Sequence, residues 1–337
     1  MVSLRMRLLC AVATLVFLAG LFLPMRELYL LLRLPFVWKA SAAESVLSAQ
    51  RDGFDVTFAA YANDTTSAEP ALIPSRLHHV HLGPNPPRPE WLTARAQCLE
   101  HHAEWETFLW QDENATEFVK NHYPDLLATW ESYPALVQRV DALRYMVLHT
   151  YGGAILDMDL ACRRSLEPLR QFDFVAPAAH PVGISIGMML ATPNNSYVRD
   201  LVYSLPTFNR RWSLLPYITI MFSTGCHYAS TIFTLQSNRT SLRVLAGTPE
   251  RPSLHMLNGF VNTPLFQHLG SSSWHGRDAQ WIKFFSHCDQ RVSFLVIVVF
   301  LLSFVGVICF CIARGRRASP RRDAPWTEAL KSESKMV

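Results

Sequence analysis

Two apolar segments, one near each end of the chain, place the tightest limit on how this sequence can fold. Residues 292–313 form an apolar run of 22 residues without a charged side chain, which as a helix would be about 33 Å long and would cross a bilayer. Residues 8–23 form a shorter apolar run after Arg5 and Arg7. We predict two transmembrane helices. The alternatives are a buried core helix for the run at 292–313 and a cleaved signal peptide, with a small-residue site at 40–42, for the run at 8–23.

Positive charge at both termini sets the predicted orientation. Arg5 and Arg7 precede the first run, and residues 314–337 contain seven Lys and Arg against three Asp and Glu. Because basic flanking segments stay on the cytosolic side, we expect both termini in the cytosol and the intervening region in a lumen. The formal net charge of +4 then reflects topology, and we expect no nucleic-acid partner.

The predicted layout follows from these two runs. Residues 28–38 are expected to lie in the membrane interface, with Tyr29 and Trp38 as anchors. In chain order we predict a cytosolic N-terminus (1–7), a transmembrane signal-anchor (8–23), a juxtamembrane stem (24–71), a lumenal domain (72–288), a transmembrane helix (292–313) and a basic cytosolic tail (314–337).

Two further features fit a secretory lumen. Four N-glycosylation sequons lie between the two runs, at Asn63, Asn114, Asn194 and Asn238. Four cysteines also lie there, which allows one or two disulfides in an oxidising compartment, although the spacing does not pair them: Cys98, Cys162, Cys226 and Cys288.

Short apolar strands alternate with helical periodicity in the central region, which predicts an α/β domain. The strands are expected at 76–82, 105–110, 154–156, 175–176 and 187–191, and helices at 112–123 and from Pro134 to the pair Gly152-Gly153. In the second helix four apolar residues share one stripe, which we expect to be buried: Leu136, Val140, Leu143 and Val147.

Asp157 and Asp159 directly follow the strand at 154–156. Carboxylates at i and i+2 of an extended segment point the same way, and at the end of a strand such a pair can hold Mn²⁺ or Mg²⁺ beside a diphosphate. A solvated turn is the alternative, because D-x-D is common by chance. Asp141 and Arg144, three residues apart on the preceding helix, add a carboxylate and a guanidinium, unless they only pair with each other.

These motifs resemble a known family. RVDALRY at 139–145 and YGGAILDMD at 151–159 resemble the core of the DXD-containing sugar transferases of glycosyltransferase family 32. Ile73-Pro74 with His79, and LWQD at 109–112, resemble the first two strands of that family.

Two later motifs narrow the resemblance. LPYITIMFSTG at 215–225 and GSSSWH at 270–275 are similar to the fungal inositol-phosphorylceramide mannosyltransferases. The resemblance covers about residues 73–285. One departure is Cys226, where the family pattern has proline. Another is the pair Arg163-Arg164, which is either solvated or placed to meet a lipid phosphate.

The resemblance implies a GT-A-like, Rossmann-type transferase domain and a retaining, metal-dependent transfer of mannose. It implies GDP-mannose as donor, inositol phosphorylceramide as acceptor and Mn²⁺ or Mg²⁺ as cofactor. It also implies a Golgi membrane location, with the endoplasmic reticulum as the alternative, and a membrane regulatory subunit as a further partner.

Site residues are carried over by motif. The resemblance implies catalytic roles for Asp157 and Asp159, metal binding by these two residues and His275, and donor binding by Asp141, Arg144, His79 and Trp110. For His275 the alternative is an ordinary surface loop. Two other functions remain open, namely a family-32 transferase acting on glycoprotein glycans and a membrane protein that binds a nucleotide sugar without transferring it.

Overall fold

The computed structural model describes residues 25–61, 71–212 and 215–271, together with Asp278, Val299 and Ser303. No helix within this part of the chain has the length and apolar character needed to cross a membrane. The predicted spans at 8–23 and 292–313 lie outside the described residues, apart from Val299 and Ser303, and therefore stay predictions.

The described residues form nine strands, which build two sheets. Their bounds are β1 (Arg76–Val80), β2 (Glu106–Trp110), β3 (Gly153–Leu156), β4 (Leu160–Cys162), β5 (Phe174–Pro177), β6 (Met188–Ala191), β7 (Leu242–Leu245), β8 (Phe260–Asn262) and β9 (Phe266–Leu269).

The larger sheet is mixed, with the order β2-β1-β3-β6-β5-β7. Strands β1, β2 and β3 are parallel to one another, and β5 is parallel to β7. Strand β6 runs antiparallel to both of its neighbours, β3 and β5. The smaller, antiparallel sheet has the order β4-β9-β8. This observed architecture confirms that the domain is α/β, whereas the GT-A-like type and the flanking spans stay predictions.

Helices cover the larger sheet, and both of its faces are buried. Ile155 of β3 belongs to one apolar cluster, whereas Ala154 and Leu156 belong to the other, as the alternation of side chains along a strand requires. Residues 25–32 are helical, and the further helices are α1 (Leu34–Ala42), α2 (Ala49–Asp52), α3 (Pro89–His101), α4 (Asp112–His122), α5 (Pro124–Ser132), α6 (Leu136–Tyr151), α7 (Ser196–Phe208), α8 (Pro216–Ser223) and α9 (Cys226–Leu235), with a 3₁₀ turn at Glu167–Gln171.

Helix α6 differs from the predicted single buried stripe. Leu136 is 42% exposed, whereas every side chain from residue 141 to residue 148 is buried. The reason is that α6 has neighbours on several sides, among them α4, α7, α8 and β3. Polar residues in the middle of α6, including Asp141 and Arg144, are therefore taken out of water.

Gly152 and Gly153 end α6 and start β3, as predicted. Gly152 has φ +62° and Gly153 has φ +97°, values that favour glycine. A Cβ on Gly153 would lie 2.6 Å from the carbonyl oxygen of Arg76 on β1. The glycine pair therefore allows β3 to pack closely against β1 immediately before Asp157.

Part of the predicted stem belongs to the folded domain, which corrects the predicted boundary at residue 72. Leu47, Phe54 and Phe58 are 2%, 1% and 0% exposed, and Val46 forms a β-bridge with Val244 of β7. The segment is short and polar in composition, but its few large apolar side chains fill the core beside the sheet.

Candidate active site

Asp157 is held at the point where β3 meets β6. Its backbone N–H donates to the carbonyl oxygen of Gly187, at 2.8 Å. A Cβ on Gly187 would lie 2.9 Å from Oδ2 of Asp157. The glycine therefore leaves room for this carboxylate, whose side chain is 39% exposed.

Arg144 projects from α6 and pairs with Asp157. Its guanidinium donates to Oδ1 of Asp157 and to the carbonyl oxygen of Ile186, while its side chain is only 3% exposed. Burial opposes the charge on Arg144, but the carboxylates of Asp157 and Asp141 outweigh this effect and raise the pKa of the guanidinium. Arg144 therefore stays charged and orients the first aspartate of the D-x-D motif.

Asp141 lies one helical turn before Arg144 and is 5% exposed. The hydroxyl of Thr224 donates to Oδ2 of Asp141, at 3.0 Å. Burial raises the pKa of Asp141 to about 7, with Arg144 lowering it and Asp157 raising it further. The buried Asp141 and the partly exposed Asp157 thus share one guanidinium, and burial brings the pKa of Asp141 close to neutral pH.

Thr224 lies two residues before Cys226, the position at which the resemblance implies proline. The phenolic hydroxyl of Tyr145 donates to the Thr224 carbonyl oxygen, at 2.5 Å, so the Thr224 backbone and side chain are both fixed on α6. Cys226 begins α9, and burial raises the pKa of its thiol to about 11. Cysteine at this position leaves the contact between Thr224 and Asp141 intact.

Asp159 is fixed by the second sheet. His268 of β9 is paired with Leu160 of β4, which brings its Nε2 to 3.4 Å from Oδ2 of Asp159. The backbone N–H of Ser271 donates to the same oxygen, at 3.1 Å. Burial disfavours the ionised carboxylate, but the hydrogen bonds from His268 and Ser271 outweigh it and lower the pKa of Asp159.

Helix α3 supports this carboxylate indirectly, through Ser271. The indole N–H of Trp91 donates to Oγ of Ser271, at 2.8 Å, and the guanidinium of Arg88 lies 4.9 Å from the Trp91 ring centroid. At the other end of α3, Cys98 forms a disulfide with Cys162 of β4. Helix α3 is therefore attached to the strand that follows Asp159, through the disulfide, and to the Ser271 segment that donates to Asp159.

The two aspartates suit a hard divalent cation. Hydrogen bonds and ion pairs among the described residues engage Oδ1 of Asp157 and Oδ2 of Asp159, so each carboxylate keeps a second oxygen. Mn²⁺ and Mg²⁺ prefer such oxygen ligands. No group of three His, Cys, Asp or Glu side chains suited to a metal occurs among the described residues, so the donor set present there is the carboxylate pair. His275 lies outside the described residues.

His79 and Trp110 are both core side chains. His79 is fully buried, and neither ring nitrogen has a partner among the described residues. Burial lowers the pKa of His79 to about 3, so its ring is neutral. Trp110 is 7% exposed, donates its indole N–H to Nδ1 of His78 at 3.3 Å, and packs against Phe118. Donor binding by either residue stays a prediction.

Arg163 and Arg164 both bind backbone oxygens. Arg163 donates to the carbonyl oxygen of Thr263, at 3.2 Å. Arg164 donates to the carbonyl oxygen of Phe58 and lies over the Phe58 ring. Arg164 thus packs against the N-terminal segment, and neither of the two roles considered from the sequence describes it.

Sequence reasoning missed four residues that hold the aspartates in place: Trp91, Gly187, His268 and Ser271. Only Ser271 belongs to a motif that the sequence singled out. The other three contact the aspartates or Ser271 through strand pairing or helix packing, and no short-range pattern predicts such contacts.

Comparison with known proteins gives the family. Residues 88–175 match the model of the glycosyltransferase sugar-binding region containing the DXD motif. Inositol phosphoceramide mannosyltransferase 1 of Schizosaccharomyces pombe is 30% identical over 258 residues, which cover 74% of this chain and 76% of that protein. The chain belongs to the inositol phosphoceramide mannosyltransferase family.

Another relative in this mannosyltransferase family is mannosyl phosphorylinositol ceramide synthase SUR1 of Saccharomyces cerevisiae. It is 33% identical over 227 residues, or 66% of this chain, but the chain spans only 56% of the length of SUR1. Inositol phosphoceramide mannosyltransferase 3 of Schizosaccharomyces pombe is 29% identical over 268 residues, which cover 77% of this chain and 72% of that protein.

The solved structures that match this chain are less similar to it than the mannosyltransferases above. The PaToxG glycosyltransferase matches with a TM-score of 0.38 and 12% identity over 63% of this chain and 79% of the other. The ligand-free glycosyltransferase domain of the YGT toxin matches with a TM-score of 0.40 and 10% identity, over 52% of this chain and 80% of the toxin domain. Both TM-scores lie below 0.5, so neither structure assigns the fold.

Proposed function

We propose that this chain is a membrane-bound mannosyltransferase that moves mannose from GDP-mannose to the inositol of inositol phosphorylceramide. The observation that carries the proposal is the convergence of Asp141, Arg144, Asp157 and Asp159 at one end of β3 in a chain of this family. The names of the relatives supply the acceptor class and the transferred sugar. We further propose a GT-A-like fold, retention of configuration and a Golgi lumenal site.

Each site residue has a proposed task. Asp157 and Asp159 would hold Mn²⁺ or Mg²⁺, which when bound supplies positive charge for the departing diphosphate. Arg144 keeps Asp157 in place and adds a fixed positive charge to a largely dehydrated site. Asp141, held by Thr224, would hydrogen-bond donor sugar hydroxyls. His268 and Ser271 orient Asp159, so that the metal position is set before the donor binds.

The proposed transfer needs no separate protein base. The bond from the anomeric carbon to the diphosphate oxygen breaks, and a bond from that carbon to an inositol hydroxyl oxygen forms on the same face. The hydroxyl proton passes to the departing diphosphate. Water exclusion around the buried Asp141 and Arg144 favours transfer to the lipid over hydrolysis.

A lumenal site is supported by the disulfide between Cys98 and Cys162, because disulfides persist in oxidising compartments. A bilayer-held enzyme would also meet its lipid acceptor at a high effective concentration.

The test uses membranes that contain the full chain, with and without the expected regulatory subunit. They are incubated with radiolabelled GDP-mannose, inositol phosphorylceramide and Mn²⁺, and lipid products are separated. We expect a mannosylated lipid from the wild type, loss of product with a metal chelator, and loss in Asp159→Asn. The matched control is Asp200→Asn, because Asp200 pairs with Arg199 on the surface of α7.

Two results would contradict the proposal. Undiminished transfer by Asp159→Asn would exclude the proposed metal site. Transfer only to glycoprotein acceptors by folded wild-type protein would replace the lipid acceptor with the glycan alternative. The anomeric configuration of the product, determined by NMR, tests retention separately.

A further inference from the structure

Four large apolar side chains form a stripe on the outer face of the N-terminal helical segment, residues 25–42. Met25, Tyr29, Leu32 and Phe36 are 60%, 63%, 54% and 86% exposed. Their spacings of four, three and four residues place them on one side of a helix. A contiguous exposed apolar surface of this kind marks an interaction site. We call these four residues the outer stripe.

The opposite face of the segment is packed on the domain, so the exposure of the outer stripe does not come from a loose end. Leu30, Leu31 and Leu34 are 8%, 4% and 0% exposed. The ring Nε2 of His227 on α9 is 2.6 Å from the carbonyl oxygen of Leu31. Trp38 packs against Phe233 of α9, with 5.3 Å between ring centroids. Trp38 is therefore partly buried against the domain, and its expected role as an anchor in the membrane interface stays a prediction.

Basic side chains flank the outer stripe. Arg26 and Lys39 are exposed on the segment itself. Arg210 joins the segment from the end of α7 by an ion pair with Glu27, at 3.0 Å. Arg211, also exposed, lines a cleft of about 220 Å³ together with residues of the segment. An apolar stripe with a positive rim is complementary to a bilayer surface that carries anionic headgroups.

The position of the segment in the chain points to the same partner. The apolar run at 8–23 ends two residues before Met25. If that run spans the membrane, Met25 emerges at the bilayer surface, and the outer stripe begins at the depth where amphipathic helices lie. Tyr29 is of the residue type that is enriched at this depth.

We propose that residues 25–42 are an interfacial helix, with the outer stripe inserted into the membrane leaflet on which the domain rests and the basic rim on anionic headgroups. The proposal rests on the membrane attachment included in the proposed function, and it does not depend on which acceptor receives mannose. Because the inner face is packed on α9, a helix lying in the bilayer surface would fix the orientation of the whole domain relative to the membrane. The outer stripe thus limits how the active site can turn relative to its lipid substrate.

The experiment maps lipid contact in the full chain. The protein is reconstituted in phosphatidylcholine vesicles with a minor fraction of phosphatidylinositol, and the phosphatidylcholine carries a photoactivatable diazirine in its acyl chain. After illumination, trypsin cleavage at Arg26, Arg33 and Lys39 gives peptides 27–33 and 34–39, which mass spectrometry tests for lipid adducts. We expect adducts on both peptides, and a several-fold loss in Tyr29→Ser combined with Phe36→Ser.

The matched control is Tyr203→Ser, since Tyr203 on α7 is 58% exposed and lies outside the outer stripe. We expect this change to leave the adducts unaltered. Replacing phosphatidylinositol by phosphatidylcholine should reduce the adducts, because the basic rim then loses its anionic partner. The measurement is repeated in Asp159→Asn, so that adduct formation is scored independently of transfer.

Adducts confined to peptides outside residues 25–42 would overturn the proposal. So would chain-to-chain crosslinks through the outer stripe that disappear in Tyr29→Ser/Phe36→Ser, because a second copy would then cover it. Adducts on both peptides together with absent lipid transfer would leave the interfacial helix standing and contradict only the proposed acceptor.

Discussion

The indole N–H of Trp91 donates a 2.8 Å hydrogen bond to the hydroxyl oxygen of Ser271. The backbone N–H of Ser271 in turn donates to Oδ2 of Asp159, at 3.1 Å. A helix that lies 68 residues earlier in the chain therefore supports the second aspartate of the D-x-D motif. The support runs through one side-chain contact, which two conservative substitutions can remove.

Trp91→Phe and Ser271→Ala each delete this hydrogen bond while keeping the surrounding packing. One neutral hydrogen bond stabilises by about 1 kcal/mol, so we expect kcat/KM to fall about threefold to tenfold, with weaker activation by Mn²⁺. The double variant should be no worse than either single variant, because both remove the same interaction. Titration of the transferase activity with Mn²⁺ measures the effect.

The control for this pair is Thr93→Ala, which removes a hydrogen bond within α3 to Pro89 but no contact to Ser271. Full additivity of the Trp91 and Ser271 effects would show that the two residues act separately and would exclude the proposed chain of contacts.

Asp141 makes stability depend on pH. Burial raises its folded pKa to about 7, above the ordinary aspartate value of 3.8, so between these values the folded chain binds more protons than the unfolded chain. Stability from this group is therefore complete below pH 3.8 and is lost as the pH rises to about 7. We therefore compare the free energy of unfolding of Asp141→Asn with that of the wild type. We expect this difference to shift by about 2 kcal/mol in favour of the variant as the pH rises from 5 to 8.

The measurement is thermal unfolding of both proteins in detergent over this pH range, with the difference in Tm as the readout. Subtraction of the wild type removes the opposite trend from the buried histidines, such as His78, whose pKa burial lowers to about 4. A constant difference in Tm across the range would contradict the raised pKa of Asp141. Transfer activity should be lost in Asp141→Asn at every pH.

Gly187 is expected to tolerate no side chain. In Gly187→Ala the new Cβ would lie 2.9 Å from Oδ2 of Asp157, and the carboxylate must move to relieve this contact. A small misplacement of a catalytic group is costly, so we expect kcat/KM to fall about tenfold to a hundredfold. Met188→Leu, a core change at the next residue, should have a much smaller effect. Equal losses in the two variants would indicate general disruption of β6.

The disulfide between Cys98 and Cys162 closes a separation of 64 residues. Loss of this constraint in Cys98→Ser/Cys162→Ser is expected to cost about 4 kcal/mol of stability, through the entropy of the unfolded chain. Thermal unfolding with and without reductant provides the measurement. The control is Cys226→Ser, which replaces a free thiol and should make unfolding no more sensitive to reductant. Equal sensitivity of the wild type and the double variant to reductant would contradict the pairing.

Local patterns predicted the elements that carry the D-x-D motif. The strand at 154–156 is observed as Gly153–Leu156, the strand at 187–191 as Met188–Ala191, and the helix after Pro134 as Leu136–Tyr151. Alternation, helical periodicity and the glycine pair act over a few residues, and a linear sequence displays them directly. The aspartates at the end of β3 were predictable for the same reason.

Contacts between distant segments were not predictable in this way. Strand β9 pairs with β4 across about a hundred residues and brings His268 to Asp159. Neither strand has a pattern that predicts its partner. The sequence left the pairing of Cys98 open. It also placed the end of the stem too late, at residue 71, because burial of Phe54 and Phe58 depends on a surface formed by later residues.

The sequence by itself determined the class of fold, the family and the position of the carboxylate pair, because each depends on a short ordered pattern of residues. The tertiary structure alone decided which groups restrain those carboxylates. It placed Arg144 on Asp157 and His268 with Ser271 on Asp159. It also raised the pKa of Asp141 to about 7 by burial. Ionisation and orientation depend on what surrounds a side chain in space, and only packing of distant segments creates those surroundings.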